Sequence, residues 1–132
     1  MIKTHDRQGI LDYFKELGME IRSTHCNGYY KDMICYPITD YTGVIHLYEI
    51  ANLENEKLYK LNRYVDRFDD QGCYWLSDKD KANTVKIPYG RVVEKDCISI
   101  VDNYTYNFKQ AKIRHKKLKI ERICREEDRC QD

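Results

Sequence analysis

Asn27-Gly28 restricts this chain more than any other feature of its sequence. The pair stands between two strand-like runs, and both residues accept the left-handed backbone that a two-residue hairpin turn requires. Fixing the turn fixes the register: Cys26 faces Tyr29, His25 faces Tyr30, Ile21 faces Ile34 and Met19 faces Tyr36. One face then collects Met19, Ile21, His25, Tyr30, Ile34 and Tyr36, with Tyr29 on the other. A slip of one residue would turn the apolar set of one strand to solvent, so the pattern itself supports the register.

A cover for that face precedes the hairpin. Ile10, Leu11, Phe14 and Leu17 form one apolar stripe, which predicts a helix over 6–17 with Asp6 capping its start and Gly18 ending it. Downstream, residues 43–50 read as a third strand. Leu58, Leu61, Val65 and Phe68 fit a second helical stripe, predicting a helix near 52–68 that stops at Asp69 to Gly72. Short strands are expected at 73–76, at 84–88 and 91–95 around Tyr89-Gly90, and at 97–100 and 104–108 around Val101-Asp102-Asn103. Residues 109–128 lack Gly and Pro and are rich in helix formers, which predicts a helix. The expected fold is α+β. An N-terminal helix packs on an antiparallel hairpin, a second helix follows, and a mostly antiparallel β meander leads to a basic helical C-terminal segment. The whole of 1–132 reads as a single domain from which 109–128 protrudes.

The core has to be modest. Ile, Leu, Val and Phe occupy 30 of the 132 positions, so the 12 Tyr must help to close it. No apolar run approaches the roughly 18 residues of a membrane span, and the charged N-terminus lacks the apolar centre of a secretory signal. The expectation is a cytoplasmic protein with no membrane partner. The six cysteines, at 26, 35, 73, 97, 124 and 130, are too dispersed for a stapled scaffold and read as free thiols.

The familiar catalytic patterns are missing. Zinc ligands usually arrive as close pairs, and the chain has neither Cys-x-x-Cys nor His-x-x-x-His. His25 and Cys26 are adjacent on a strand and point to opposite faces. Cys26 and Cys35 lie roughly 20 Å apart along the hairpin. Cys124 and Cys130, with His115, are a weaker set. The acids at Glu54, Glu56, Asp66, Asp69, Asp70 and Glu94, with Lys57 and Lys95, have no nuclease-like spacing. The six glycines stand singly, so no phosphate loop exists. No cofactor, no metal and no catalytic residue is expected.

Recognition features are present. Lys109, Lys112, Arg114, Lys116, Lys117, Lys119 and Arg122 place seven cations in fourteen residues against one acid, Glu121. Tyr104 and Tyr106 directly precede them, and aromatics beside cations can stack bases. Tyr29 and Tyr30 put rigid amphipathic rings at the hairpin tip, a composition suited to protein contact. These residues lead to the expectation of a non-enzymatic accessory binding protein that docks on a protein partner and masks or inhibits it. The partner would be a nucleic-acid-processing complex, in the anti-defence manner of small phage and mobile-element proteins. Direct nucleic-acid binding through 109–122 is the alternative. A small metal-dependent nuclease or hydrolase is the second alternative.

Overall fold

The structure, a computed structural model, describes residues 1–79 and 84–130, with the side chains of Cys26 and of 125–130 left outside the description. Expectations that concern the Cys26 and Cys130 thiols therefore lie outside the described residues.

Asp6 begins the first helix, α1 (Arg7–Glu16), by accepting the Gly9 amide at 2.9 Å. Gly18, at φ +91°, ends it in the conformation expected. Ile10, Leu11 and Phe14 are buried, as their stripe required. The hairpin follows in the predicted register. Strands β1 (Glu20–Cys26) and β2 (Tyr29–Thr39) pair with Cys26 opposite Tyr29, His25 opposite Tyr30 and Ile21 opposite Ile34. Asn27 and Gly28 both have positive φ.

Strand β3 (Ile45–Glu54) pairs with β2, and a bulge opposite Ile34/Cys35 leaves Ile50 between Glu49 and Ala51 without a counterpart. A bulge shifts the alternation by one residue. Tyr48 before it and Ala51 and Leu53 after it therefore all face the core. Strands β4 (Lys57–Lys60) and β7 (Val85–Pro88) complete an antiparallel sheet in the order β1-β2-β3-β4-β7. Strands β5 (Arg63–Phe68) and β6 (Tyr74–Asp78) form a separate two-stranded sheet.

The helix expected near 52–68 is not there. The segment is the end of β3, a tight turn, β4 and β5. Asn55 and Glu56 both adopt positive φ, at 50° and 58°, and so make a two-residue hairpin turn with no glycine to announce it. Val65 and Phe68 sit three apart yet both are buried, because a register shift between Val65 and Arg67 skips one residue of alternation. That bulge imitates a helical period.

The second correction lies in 91–108. A 3-10 turn (Tyr89–Arg91) replaces the start of the expected strand at 91–95, and residues 94–130 form one continuous helix, α2 (Glu94–Cys130). Asp96, at the third helical position, accepts the Val93 amide at 3.1 Å, half of a capping box. Glu94 accepts the Ile2 amide at 3.0 Å, which ties the N-terminal segment to the same helix end. Among the described side chains of α2, Cys97, Ile100, Tyr104, Phe108 and Ala111 are the buried ones, at helical spacing. The helix expected at 109–128 is therefore the distal half of a longer one.

Phe108 joins the two sheets. Its ring meets Tyr36 of β2 at 5.1 Å, Tyr48 of β3 at 5.4 Å and Tyr74 of β6 at 4.7 Å between centroids. Tyr74 in turn packs on Phe68 at 4.7 Å. Tyr36 Oη lies 2.6 Å from Thr105 Oγ1, which donates onward to the Val101 carbonyl. Among the described residues, no helix is long and apolar enough to cross a membrane.

Candidate functional site: the outward face of the C-terminal helix

Helix α2 has 37 residues, a length of about 55 Å at 1.5 Å per residue. Among the described side chains, burial ends at Ala111. From Lys112 to Cys124 every residue is exposed except His115, which is half-buried. The body of the domain therefore holds the first half of the helix and leaves the second half as an arm.

One clasp holds the base of that arm. His115 Nε2 lies 2.9 Å from Asp70 Oδ1, and Lys119 Nζ reaches the same oxygen at 3.4 Å. The His115 ring packs edge-on against Phe68 at 5.3 Å. Asp70, in the turn between β5 and β6, is held below the usual carboxylate range by His115 first and Lys119 second.

The arm's outward face is patterned. A helix turns 100° per residue, so Tyr106, Ile113 and Ile120, seven apart, fall within roughly 40° of one another, on the side opposite Tyr104, Phe108 and Ala111. Their exposures are 62%, 45% and 52%. Lys109, Lys116 and Lys117 flank this stripe, and all three are exposed. Lys112 leans the other way, with Nζ 6.0 Å from the centroid of the Tyr41 ring. An apolar line edged by ammonium groups is suited to a groove with apolar walls and acidic rims.

The structure separates residues that the sequence grouped. Tyr104 and Tyr106 were expected on one strand face. On a helix they point apart: Tyr104 is 2% exposed and donates its hydroxyl to the Leu61 carbonyl at 2.9 Å, while Tyr106 faces solvent. Tyr104 is thus a core residue and unavailable for contact. Tyr29 and Tyr30 open β2 and are exposed, but Tyr41, beside the arm, follows the strand's other end, roughly 30 Å away at 3.3 Å per residue. Tyr30 is also engaged, since its hydroxyl accepts from Arg7 Nη2 at 2.7 Å. Hairpin tip and basic arm are two surfaces. Arg114 and Arg122 remain exposed on the arm with the lysines.

A cluster that sequence spacing did not suggest lies where the two sheets meet. Asp40 follows β2, His46 is on β3, and Cys73 precedes β6. His46 Nε2 is 2.7 Å from Asp40 Oδ2 and 3.4 Å from Cys73 Sγ, and Sγ is 3.9 Å from Oδ2. Three side chains able to ligate a metal thus converge here, each of them half-buried. Cys73 is 33 residues from Asp40 in sequence, so no local motif could announce the group. Three of the acids weighed as metal ligands are engaged apart from this cluster: Asp66 by Ser77, Asp69 by the Gln71 and Cys73 amides, and Asp70 by His115 and Lys119 of the arm. Cys35 and Cys97 are buried free thiols and Cys124 is an exposed one.

A polar cleft of about 400 Å³ is lined by Lys31, Glu49, Asn52, Arg63, Asp78 and Lys86, among others. Its charges are mostly paired internally, Lys31 with Glu49 at 3.5 Å and Arg63 with Asp78 at 3.0 Å. Compared with family models, with curated proteins and with solved structures, the chain matches none.

Proposed function

We propose that this chain is a non-enzymatic binding protein that seats the outward face of α2 in an acidic-rimmed groove of a larger protein and so masks that surface. The single observation carrying this reading is the line Tyr106, Ile113, Ile120, exposed on the side of the helix that the domain does not use. An amphipathic helix docks by laying such a stripe into a groove, and the flanking lysines set orientation and speed encounter. The clasp at Asp70 supports the reading, because it fixes the base of the arm before any partner arrives and lowers the ordering cost of docking. Seven cations within fourteen residues oppose the side-by-side pairing of two copies of the arm. A complex that processes nucleic acid fits as the partner class.

The test uses the full chain immobilised against an extract of its native host, with the bound fraction analysed for both protein and nucleic acid. Two variants decide the outcome. Ile113→Asp with Ile120→Asp removes the apolar line; Lys109→Glu with Lys116→Glu and Lys117→Glu removes the flanking charge without touching the Lys119 clasp. Docking predicts a stoichiometric protein complex on size exclusion that the isoleucine pair abolishes and the lysine set slows. Direct nucleic-acid binding predicts the reverse order of sensitivity and a steep salt slope, and would displace the protein-docking reading. A complex indifferent to both variants removes α2 from the function.

A further inference from the structure

We infer that Asp40, His46 and Cys73 form a binding site for a single zinc-class divalent ion, which clamps the β2–β3 turn to the β5–β6 hairpin. The donor set comes first. One imidazole nitrogen, one thiol sulfur and one carboxylate oxygen suit zinc and its neighbours; magnesium and calcium would reject the sulfur.

The geometry agrees. In a tetrahedral site with bonds of about 2.0–2.1 Å to nitrogen and oxygen and 2.3 Å to sulfur, neighbouring donors stand about 3.3–3.6 Å apart. The two separations involving sulfur are 3.4 and 3.9 Å, already within a few tenths of that range. The Asp40–His46 separation is 2.7 Å, a hydrogen bond that an ion between the two groups would open by roughly 0.6 Å.

The donors are also aimed. Asp40 commits Oδ1 to its own turn, accepting from the Thr42 amide at 2.8 Å, the Thr42 hydroxyl at 2.6 Å and the Val44 amide at 3.0 Å. This leaves Oδ2 directed at His46. The Cys73 amide donates to Asp69 Oδ1 at 2.9 Å, and the Tyr41 amide donates to the Gln71 carbonyl at 2.8 Å, which laces the two turns together beside the cluster. The Asp40 side chain is 7% exposed and that of His46 is 35%, so the ligands are shielded while an ion and a water in the fourth position retain a way in.

The alternative chemistry for these three residues is a thiol nucleophile with an imidazole base, and the arrangement opposes it. Carboxylate and thiol both address the same nitrogen, Nε2. A base relay needs them on opposite nitrogens. A divalent ion resolves the crowding. The thiol releases its proton to solvent, His46 binds through Nε2 as the Nδ1–H tautomer, and two anionic ligands neutralise the ion's two charges.

The test is a cobalt titration of the full chain after chelator treatment, with zinc as competitor. We expect one equivalent to bind, with a thiolate-to-cobalt charge-transfer band and visible bands of tetrahedral intensity, and zinc to displace it. Cys73→Ser should abolish the charge-transfer band, and His46→Gln should weaken binding by more than about a hundredfold. Cys124→Ser, which removes an exposed thiol elsewhere, should change neither. Circular dichroism establishes that each variant is folded, and if His46→Gln is not, Cys73→Ser alone decides. The absence of saturable one-to-one binding, or a cobalt spectrum that survives Cys73→Ser, would overturn the assignment.

Discussion

Arg7 meets Asp32 with two nitrogens at once, Nε to Oδ2 at 2.6 Å and Nη2 to Oδ1 at 2.8 Å. Asp32 lies on β2 and its side chain is only 2% exposed, while that of Arg7 is 43% exposed. Ser23 adds a hydrogen bond to Oδ1 at 2.6 Å. Burial pushes the Asp32 carboxyl up, but the bonds from Arg7 and Ser23 outweigh it and leave the pKa lowered. The pair pins α1 to the hairpin.

Removing one partner should cost more than removing both. Arg7→Met leaves a buried carboxylate without its cation and is expected to destabilise by about 3 kcal/mol, the low end for a broken buried pair because the guanidinium was partly hydrated. Adding Asp32→Asn to that variant should recover part of the loss. Denaturant melts of the two single variants and the double variant check this, and strictly additive changes would show that the pair is not coupled.

Acid should unfold the domain early. Asp40 is held low by Thr42 and then His46, Asp69 by the Cys73 amide, Asp70 by His115, and Glu94 by the Ile2 amide; with Asp32 they all lie below their ordinary values. A carboxyl depressed in the folded state contributes stability above its unfolded pKa, near 4, and loses it as pH falls through the folded value. The melting temperature should therefore be level from about pH 7 to 5 and fall steeply below about pH 4. A flat profile down to pH 3 would contradict these assignments.

Tyr104 and Tyr106 should behave as opposites. Tyr104→Phe deletes a buried bond to the Leu61 carbonyl and should cost about 1 kcal/mol, whereas Tyr104→Ala empties a core position at about 3–5 kcal/mol. Tyr106→Ala should leave stability within about 0.5 kcal/mol and weaken partner capture. Equal stability losses at the two sites would mean that the helical phase is wrong.

Gly9→Ala should destabilise although Gly9 lies in a helix, where alanine usually helps. An added Cβ would stand 1.9 Å from the Thr4 carbonyl oxygen, so the N-terminal segment must move. The expected cost is about 1–3 kcal/mol, read from a thermal melt.

Loosening the clasp should free the arm and nothing else. Asp70→Asn removes the anion shared by His115 and Lys119. Hydrogen exchange at amides 116–124 should quicken while that of the buried strands stays unchanged. Unaltered exchange along the arm would show that the remaining contacts, the Phe68–His115 packing and the Arg114 bond to the Val65 carbonyl among them, hold it without the clasp.

The legible parts of this fold are those whose signals are local. Asp6, Gly18 and Asn27-Gly28 mark ends and turns by chemistry that acts within a few residues, so α1 and the first hairpin could be read with their register. The turn at Asn55-Glu56 uses left-handed backbone on residues that seldom signal it, and the bulge between Val65 and Arg67 lends β5 a false helical period. The first half of α2 was hidden differently. Ile98, Ile100, Val101, Tyr104, Thr105 and Tyr106 favour strands, and Asp102-Asn103 resembles a turn. Packing of Cys97, Ile100, Tyr104 and Phe108 against both sheets overrides that preference. The cations of the arm were visible as a run, but their division into clasp and outward face needed the helical phase. The Asp40–His46–Cys73 group was illegible because it is made by tertiary contact between separate turns.

The last anchoring ring contacts of α2, at Phe108 and His115, make the distal helix a cantilever. From His115 to Cys130 it extends about 22 Å, so a tilt of ten degrees at the root would sweep its tip by about 4 Å. Small changes in how Phe68 and Tyr74 pack beneath the root are thereby magnified at the far end. Substitutions deep between the sheets can thus re-aim Ile120 without altering a single residue that a partner would touch.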